Sequence, residues 1–86
     1  MILKMLSDAV GVSGDEGDVR AIVLDAISEH VDEARVDTMG NVLALQRGTG
    51  QNRLRVMVSA HMDEIGLMVV GHDGDGFLQV RPVGGI

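Results

Sequence analysis

Apolar residues recur along this chain first at helical and then at extended spacing. Ile2, Met5, Leu6 and Ala9 fall three or four positions apart, the period of one helix face, which predicts a short helix over residues 2–10 with Gly11 as its stop. Gly11-Val12-Ser13-Gly14 is a tight connection. Ser13, with Glu16 three residues later, has the form of a capping box opening a second helix. That helix is predicted over residues 15–32, because Val19, Ile22, Val23, Ala26, Ile27 and Val31 make one apolar stripe. Asp15, Glu16 and Asp18 lie in its first turn, where the helix dipole favours anions, and Arg20, Asp25 and Glu29 fall on the solvent side. His30, near the far end, suits a surface position favoured by the dipole better than a ligand role.

From Ala34 onward the period shortens to two. Residues 35–37 and 42–46 predict a hairpin, joined at Thr38-Met39-Gly40-Asn41 by a turn suited to Gly and Asn at positive φ. The polar loop 47–52 holds two glycines but lacks the Lys-Ser/Thr ending and the following helix of a phosphate loop. Residues 53–60 predict a strand with Leu54, Val56, Val58 and Ala60 on one face, and Arg53, Arg55 and Met57 on the other. Such a strand passes from half-exposed to buried as it approaches His61. Residues 65–70 are apolar on both faces and predict an interior strand. A loop over residues 72–76 leads to a last strand, 77–82, and Pro82-Val83-Gly84-Gly85-Ile86 ends it in a glycine turn. Asp73-x-Asp75 has the start of a calcium loop. Phe77 and Gly84 stand where further ligands belong, however, and no helix flanks it, so a hairpin turn with His72 at the surface fits better. The order is two helices and then about five strands, an α/β sheet with helices on at least one face.

Composition narrows the function classes. Eighty-six residues make at most one small domain, and with Phe77 as the sole aromatic residue its core must rest on Val, Ile, Leu and Met. A net charge of −6 argues against nucleic acid, whose binding depends on Lys and Arg neutralising phosphates. The absence of cysteine excludes disulfides and thiolate zinc sites and suits a cytoplasmic protein. The apolar start, Met1 to Leu6, is ended by Ser7-Asp8 without a cleavage-site pattern, so neither a signal peptide nor a membrane span is expected.

The chemistry gathers at Ser59-Ala60-His61-Met62-Asp63-Glu64-Ile65-Gly66, where one apolar run ends and another begins. Strand ends are where α/β enzymes place reactive groups. A His-x-Asp pair taken alone could equally be a surface turn with a structural hydrogen bond. In an extended backbone, however, residues i and i+2 face the same side, so His61 and Asp63 can serve one small site. His61 is a candidate ligand for a divalent metal. Asp63 either coordinates directly or hydrogen-bonds the imidazole and orients it. Glu64 points to the opposite side and takes no ligand role. A catalytic zinc needs three protein ligands, and a two-metal site needs more and commonly a separate general base. His30, His72, Asp73 and Asp75 sit on expected loops or helix ends, so this stretch supplies the first piece of a metal site.

The chain resembles the N-terminal part of the M42 family of metallo-aminopeptidases, the glutamyl/lysyl and tetrahedral aminopeptidase group, some of whose members have been labelled endoglucanases. The likeness runs through Leu6 to Gly14, Val36 to Asn41, Ser59 to Val69 and Gly76 to Gly85. It implies that residues 1–86 are the N-terminal part of a catalytic domain, an incomplete portion of a zinc-peptidase-like α/β/α sheet, ending near an inserted dimerisation domain. It further implies a cytoplasmic, dimer-based or dodecameric homo-oligomer that uses two divalent metal ions, zinc or cobalt, to release N-terminal residues from short peptides. His61 would then be a metal ligand and Asp63 the catalytic residue that orients it. The remaining ligands and the glutamate base would follow the insertion, leaving the isolated 86 residues inactive. An alternative is a non-catalytic remnant acting through an open sheet edge. A carbohydrate hydrolase would need two carboxylates flanking a sugar and, usually, aromatic platforms, and Phe77 alone offers little of the latter.

Overall fold

The structure, a computed structural model, describes residues 1–85. Two helices, α1 (Ile2–Asp8) and α2 (Gly17–Ile27), precede four strands, β1 (Glu33–Val36), β2 (Val42–Leu45), β3 (Gly66–His72) and β4 (Leu78–Val83). The α/β class and the order of helices before strands are as expected. The strands, however, form two separate antiparallel pairs, β1–β2 and β3–β4, in place of one layered sheet. No helix among the described residues is long and apolar enough to cross a membrane.

α1 ends at Asp8, where Ala9 turns to an extended backbone (φ −72°, ψ 148°), two residues before Gly11. The expected capping box does not form. Glu16 caps α2 without a side-chain bond to its backbone, and the Glu16 carboxylate instead accepts the Gly14 amide at 2.7 Å. The Ser13 hydroxyl is directed elsewhere, as described below. α2 stops at Ile27, short of the expected end, because residues 28–30 close into a turn in which His30 N donates to the Ile27 carbonyl at 2.8 Å. Arg20 is drawn in from the solvent side. Its Nε donates to the Gly40 carbonyl at 2.9 Å, tying α2 to the first hairpin.

That hairpin pairs Glu33 with Leu45 through Val36 with Val42. In its turn only Gly40 adopts positive φ, at 85°. Asn41 contributes by hydrogen bonding instead. Its backbone and side-chain amides donate to the two oxygens of Asp37 at 2.9 and 3.0 Å, and Met39 N adds a third bond at 3.0 Å. The second hairpin runs from Gly66 opposite Val83 to His72 opposite Leu78, with a register shift between Val69 and Gly71. Asp73 Oδ1 accepts the amides of Asp75 and Phe77 at 2.9 and 3.0 Å, so this carboxylate shapes a turn, as the hairpin reading requires. His72 is the last residue of β3 rather than part of the loop. The expected terminal glycine turn is described as far as Gly85; Ile86 lies outside the described residues.

The strand expected over residues 53–60 does not form, and the one expected over 65–70 forms as β3 but is not interior, for one reason. Residues 53–60 pair with no neighbour and form no strand, and β3 pairs only with β4, leaving Leu67, Val69 and Val70 more than half exposed. A strand exists by its ladder, and among the described residues the run 53–60 has no partner and β3 has none beyond β4. The chain is correspondingly extended. Its radius of gyration is 17.6 Å, against about 12 Å for a compact domain of this length. Burial is concentrated at one point: Val12 and Val19 are the buried apolar side chains among the described residues. A Cβ added to Gly66 would stand 2.4 Å from Val12 Cγ1, so the absence of a side chain there lets Val12 seat.

Gly66→Ala is therefore expected to overpack this contact and cost about 1–3 kcal/mol, read as a lowered denaturation midpoint of the full-length protein. In the first hairpin, the Asn41 amides hold the Asp37 carboxyl below the usual carboxylate range. A lowered folded-state value stabilises the turn above the ordinary carboxylate range, and that contribution is lost as pH falls through the lowered value. The Asp37 carboxyl resonance should titrate below its ordinary pKa in the native protein and move back towards it in Asn41→Ala.

Candidate functional site

His61 and Asp63 lie in the unpaired run that ends at Glu64, where an isolated parallel bridge to Val12 fixes the backbone. Glu64 N donates to the Gly11 carbonyl at 2.8 Å. This bridge lays the connection between the two helices alongside the His-x-Asp cluster. Ser13 and Asp63, 50 positions apart, come into contact there, the Ser13 hydroxyl donating to Asp63 Oδ2. The other carboxylate oxygen, Oδ1, lies 3.1 Å from His61 Nδ1, and the Asp63 carbonyl lies 2.9 Å from the same nitrogen.

These distances decide the state of the imidazole. A carbonyl and an ionised carboxylate accept hydrogen bonds but cannot donate them, so Nδ1 must carry the proton. In the neutral ring Nε2 then holds a bare lone pair, the donor a metal requires, with its orientation set from behind by Asp63. The His61 side chain is 85% exposed and that of Asp63 39% exposed, so the ring projects where an ion or substrate can reach it. The Ser13 hydrogen bond, reinforced by His61, holds the Asp63 carboxyl below its usual range against desolvation, and Asp63 is thus ionised at neutral pH. Because the folded value is lowered, the Asp63 interactions are present above the ordinary carboxylate range and weaken as pH falls through the lowered value.

The cluster thus joins His61 to Asp63 through contacts at Nδ1. Glu64 enters through its backbone. The remaining candidates stay apart: His30 lies in the turn after α2, His72 ends β3, and Asp73 and Asp75 belong to the β3–β4 turn. Among the described residues no three His, Asp or Glu side chains converge as a metal cage. The donor set fits one imidazole ligand with its orienting carboxylate. Ser13 is the residue that sequence reasoning missed, since its spacing to Glu16 pointed to a helix cap. A hydroxyl between two glycines in a tight connection was the available signal. A concavity lined by Leu45, Arg47, Arg53 and Val56 includes neither His61 nor Asp63.

In sequence and architecture the chain is similar to proteins named as aminopeptidases. Residues 40–86 match the family model described as M42 glutamyl aminopeptidase. The lysyl aminopeptidase of Pyrococcus furiosus is 43% identical over 99% of this chain and 24% of its own length. Among solved structures, an aminopeptidase from the archaeon Desulfurococcus kamchatkensis is 38% identical with a TM-score of 0.88, covering 99% of this chain and 23% of its own. A Thermotoga maritima protein named an endoglucanase is 45% identical with a TM-score of 0.87, covering 98% of this chain and 27% of its own. The chain belongs to the M42 peptidase family. It spans about a quarter of the length of these relatives.

Nitrogen-15 shifts of the imidazoles in the metal-free, full-length protein are expected to show His61 as the Nδ1–H tautomer. Asp63→Ala should convert it to a mixture.

Proposed function

We propose that the protein carrying this chain is a cytoplasmic, metal-dependent aminopeptidase that releases N-terminal residues from short peptides. In this reading His61 is one ligand of a centre of two divalent ions, zinc or cobalt, and Asp63 is the residue that orients it. The observation that supports it most directly is the position of His61 Nδ1 between two acceptors of Asp63, which leaves Nε2 free at an exposed edge. When bound, such ions polarise the scissile carbonyl and lower the pKa of the attacking water. His61 offers Nε2 with its ring already turned, so little rotational freedom is lost on binding. Asp63, as an anion, accepts the hydrogen bond from Nδ1 and keeps the proton on that nitrogen.

The remaining ligands and the glutamate base belong, in this reading, to the part of the family fold beyond these residues. Residues 1–86 are the N-terminal portion of the catalytic domain, ending near an inserted dimerisation domain, and the whole assembles as a dimer-based homo-oligomer, up to a dodecamer. The unpaired run 53–60, with Leu54, Val56, Met57 and Val58 at least 80% exposed, suits a strand completed by that larger fold. One histidine and one aspartate cannot hold two ions, so the isolated 86 residues are inactive.

Hydrolysis of aminoacyl-p-nitroanilides by the full-length protein tests this reading. Activity should disappear with a chelator and return with zinc or cobalt. His61→Ala should lower kcat/KM by at least about 100-fold, the upper end of the loss from removing an outer partner of a metal ligand. Turnover by residues 1–86 alone, or chelator-insensitive turnover by the whole protein, would contradict it.

A further inference from the structure

The site contains a third side chain that neither an imidazole ligand nor its carboxylate explains. Ser13 is carried by a connection pinned on several sides. Val12 is buried; Asp15 N donates to the Val12 carbonyl at 2.9 Å; Gly14 N donates to Glu16 Oε1 at 2.7 Å; Glu64 N donates to the Gly11 carbonyl at 2.8 Å. The backbone of Ser13 is therefore fixed relative to that of Glu64, one residue past Asp63. Its hydroxyl meets Asp63 Oδ2, which has no other hydrogen-bond donor among the described residues.

The geometry of a carboxylate makes this contact consequential. Oδ1 and Oδ2 turn together about one side-chain torsion, which is broad and roughly two-fold for aspartate. Held only through Oδ1, the group can swing away from the imidazole and leave Nδ1 with the Asp63 carbonyl alone. Anchored through Oδ2 as well, it is kept in the orientation that places Oδ1 3.1 Å from Nδ1. A cap for α2 would have directed the hydroxyl to a backbone amide of that helix, and Glu16 stands at the cap position with no side-chain bond to the helix.

We propose that Ser13 is a positioning residue of this site, clamping Asp63 through Oδ2 so that His61 stays in the Nδ1–H tautomer and presents Nε2 to a divalent cation. This role rests on the metal-ligand reading of His61, and the two separate in one experiment. Zinc affinity of the full-length protein is measured by competition with a chromophoric chelator, and imidazole nitrogen-15 shifts are recorded for the metal-free form. Three variants are compared: Ser13→Ala, Ser13→Thr and His61→Ala. Ser13→Ala is expected to weaken zinc binding about 10-fold, as loss of an outer partner does, and to turn the single His61 tautomer into a mixture. Ser13→Thr, which keeps a hydroxyl, should restore both. Wild-type affinity and tautomer in Ser13→Ala would overturn the role, as would a Ser13→Thr protein that behaves like Ser13→Ala. A Ser13→Ala protein that loses its fold would assign the hydroxyl to structure and overturn the role too. Unchanged zinc binding in His61→Ala would overturn the metal reading itself. Loss there with no effect in Ser13→Ala would overturn only the clamp.

Discussion

The parallel contact between Val12 and Glu64 ties the connection between the two helices to the segment that leads into β3. Two hairpins and two helices in an extended chain offer little mutual burial; of the buried apolar side chains, Val12 is one partner of that contact and Val19 packs beside Gly11. Gly66 completes it, since a side chain there would occupy the space of Val12. The same contact has a chemical consequence. It carries a serine from between the helices to an aspartate 50 positions away, and so links packing of the connection to the orientation of the imidazole. Membership of the M42 family follows from residues 40–86; the Gly11–Gly14 connection, outside that span, is what braces the cluster.

Elements with a local cause were legible in the sequence. Helical spacing gave α1 and α2, and alternation with glycine-rich turns gave both hairpins, because each is decided by neighbours within a few residues. The two-residue spacing of His61 and Asp63 likewise anticipated that the two side chains meet. What could not be read locally was wherever a distant partner decides. Ser13 and Glu16 satisfied a local capping rule, yet the hydroxyl went to Asp63 and the carboxylate to Gly14 N. Arg20 looked solvent-facing on its own helix and found the Gly40 carbonyl on another element. Asn41 was read by its tolerance of positive φ, whereas its amides bind Asp37. Residues 53–60 had the alternation of a strand, but alternation describes faces and not the neighbour that must complete the ladder.

The state of His61 is the most informative property of the cluster. An exposed histidine in water exchanges freely between tautomers, and a metal selects whichever nitrogen is bare. Here Asp63 makes that choice in advance through its carbonyl and its carboxylate, and the carboxylate is fixed in turn by a hydroxyl. Such an order, in which the outer groups are set before the imidazole, is the preorganisation that the proposed ligand role of His61 calls for.

A crystal structure of the full-length protein grown with zinc, located by its anomalous scattering, tests this account most directly. The account predicts a zinc ion about 2.0–2.1 Å from His61 Nε2, with Nδ1 still on Asp63. Zinc on Nδ1, or a zinc centre that excludes His61, would contradict it.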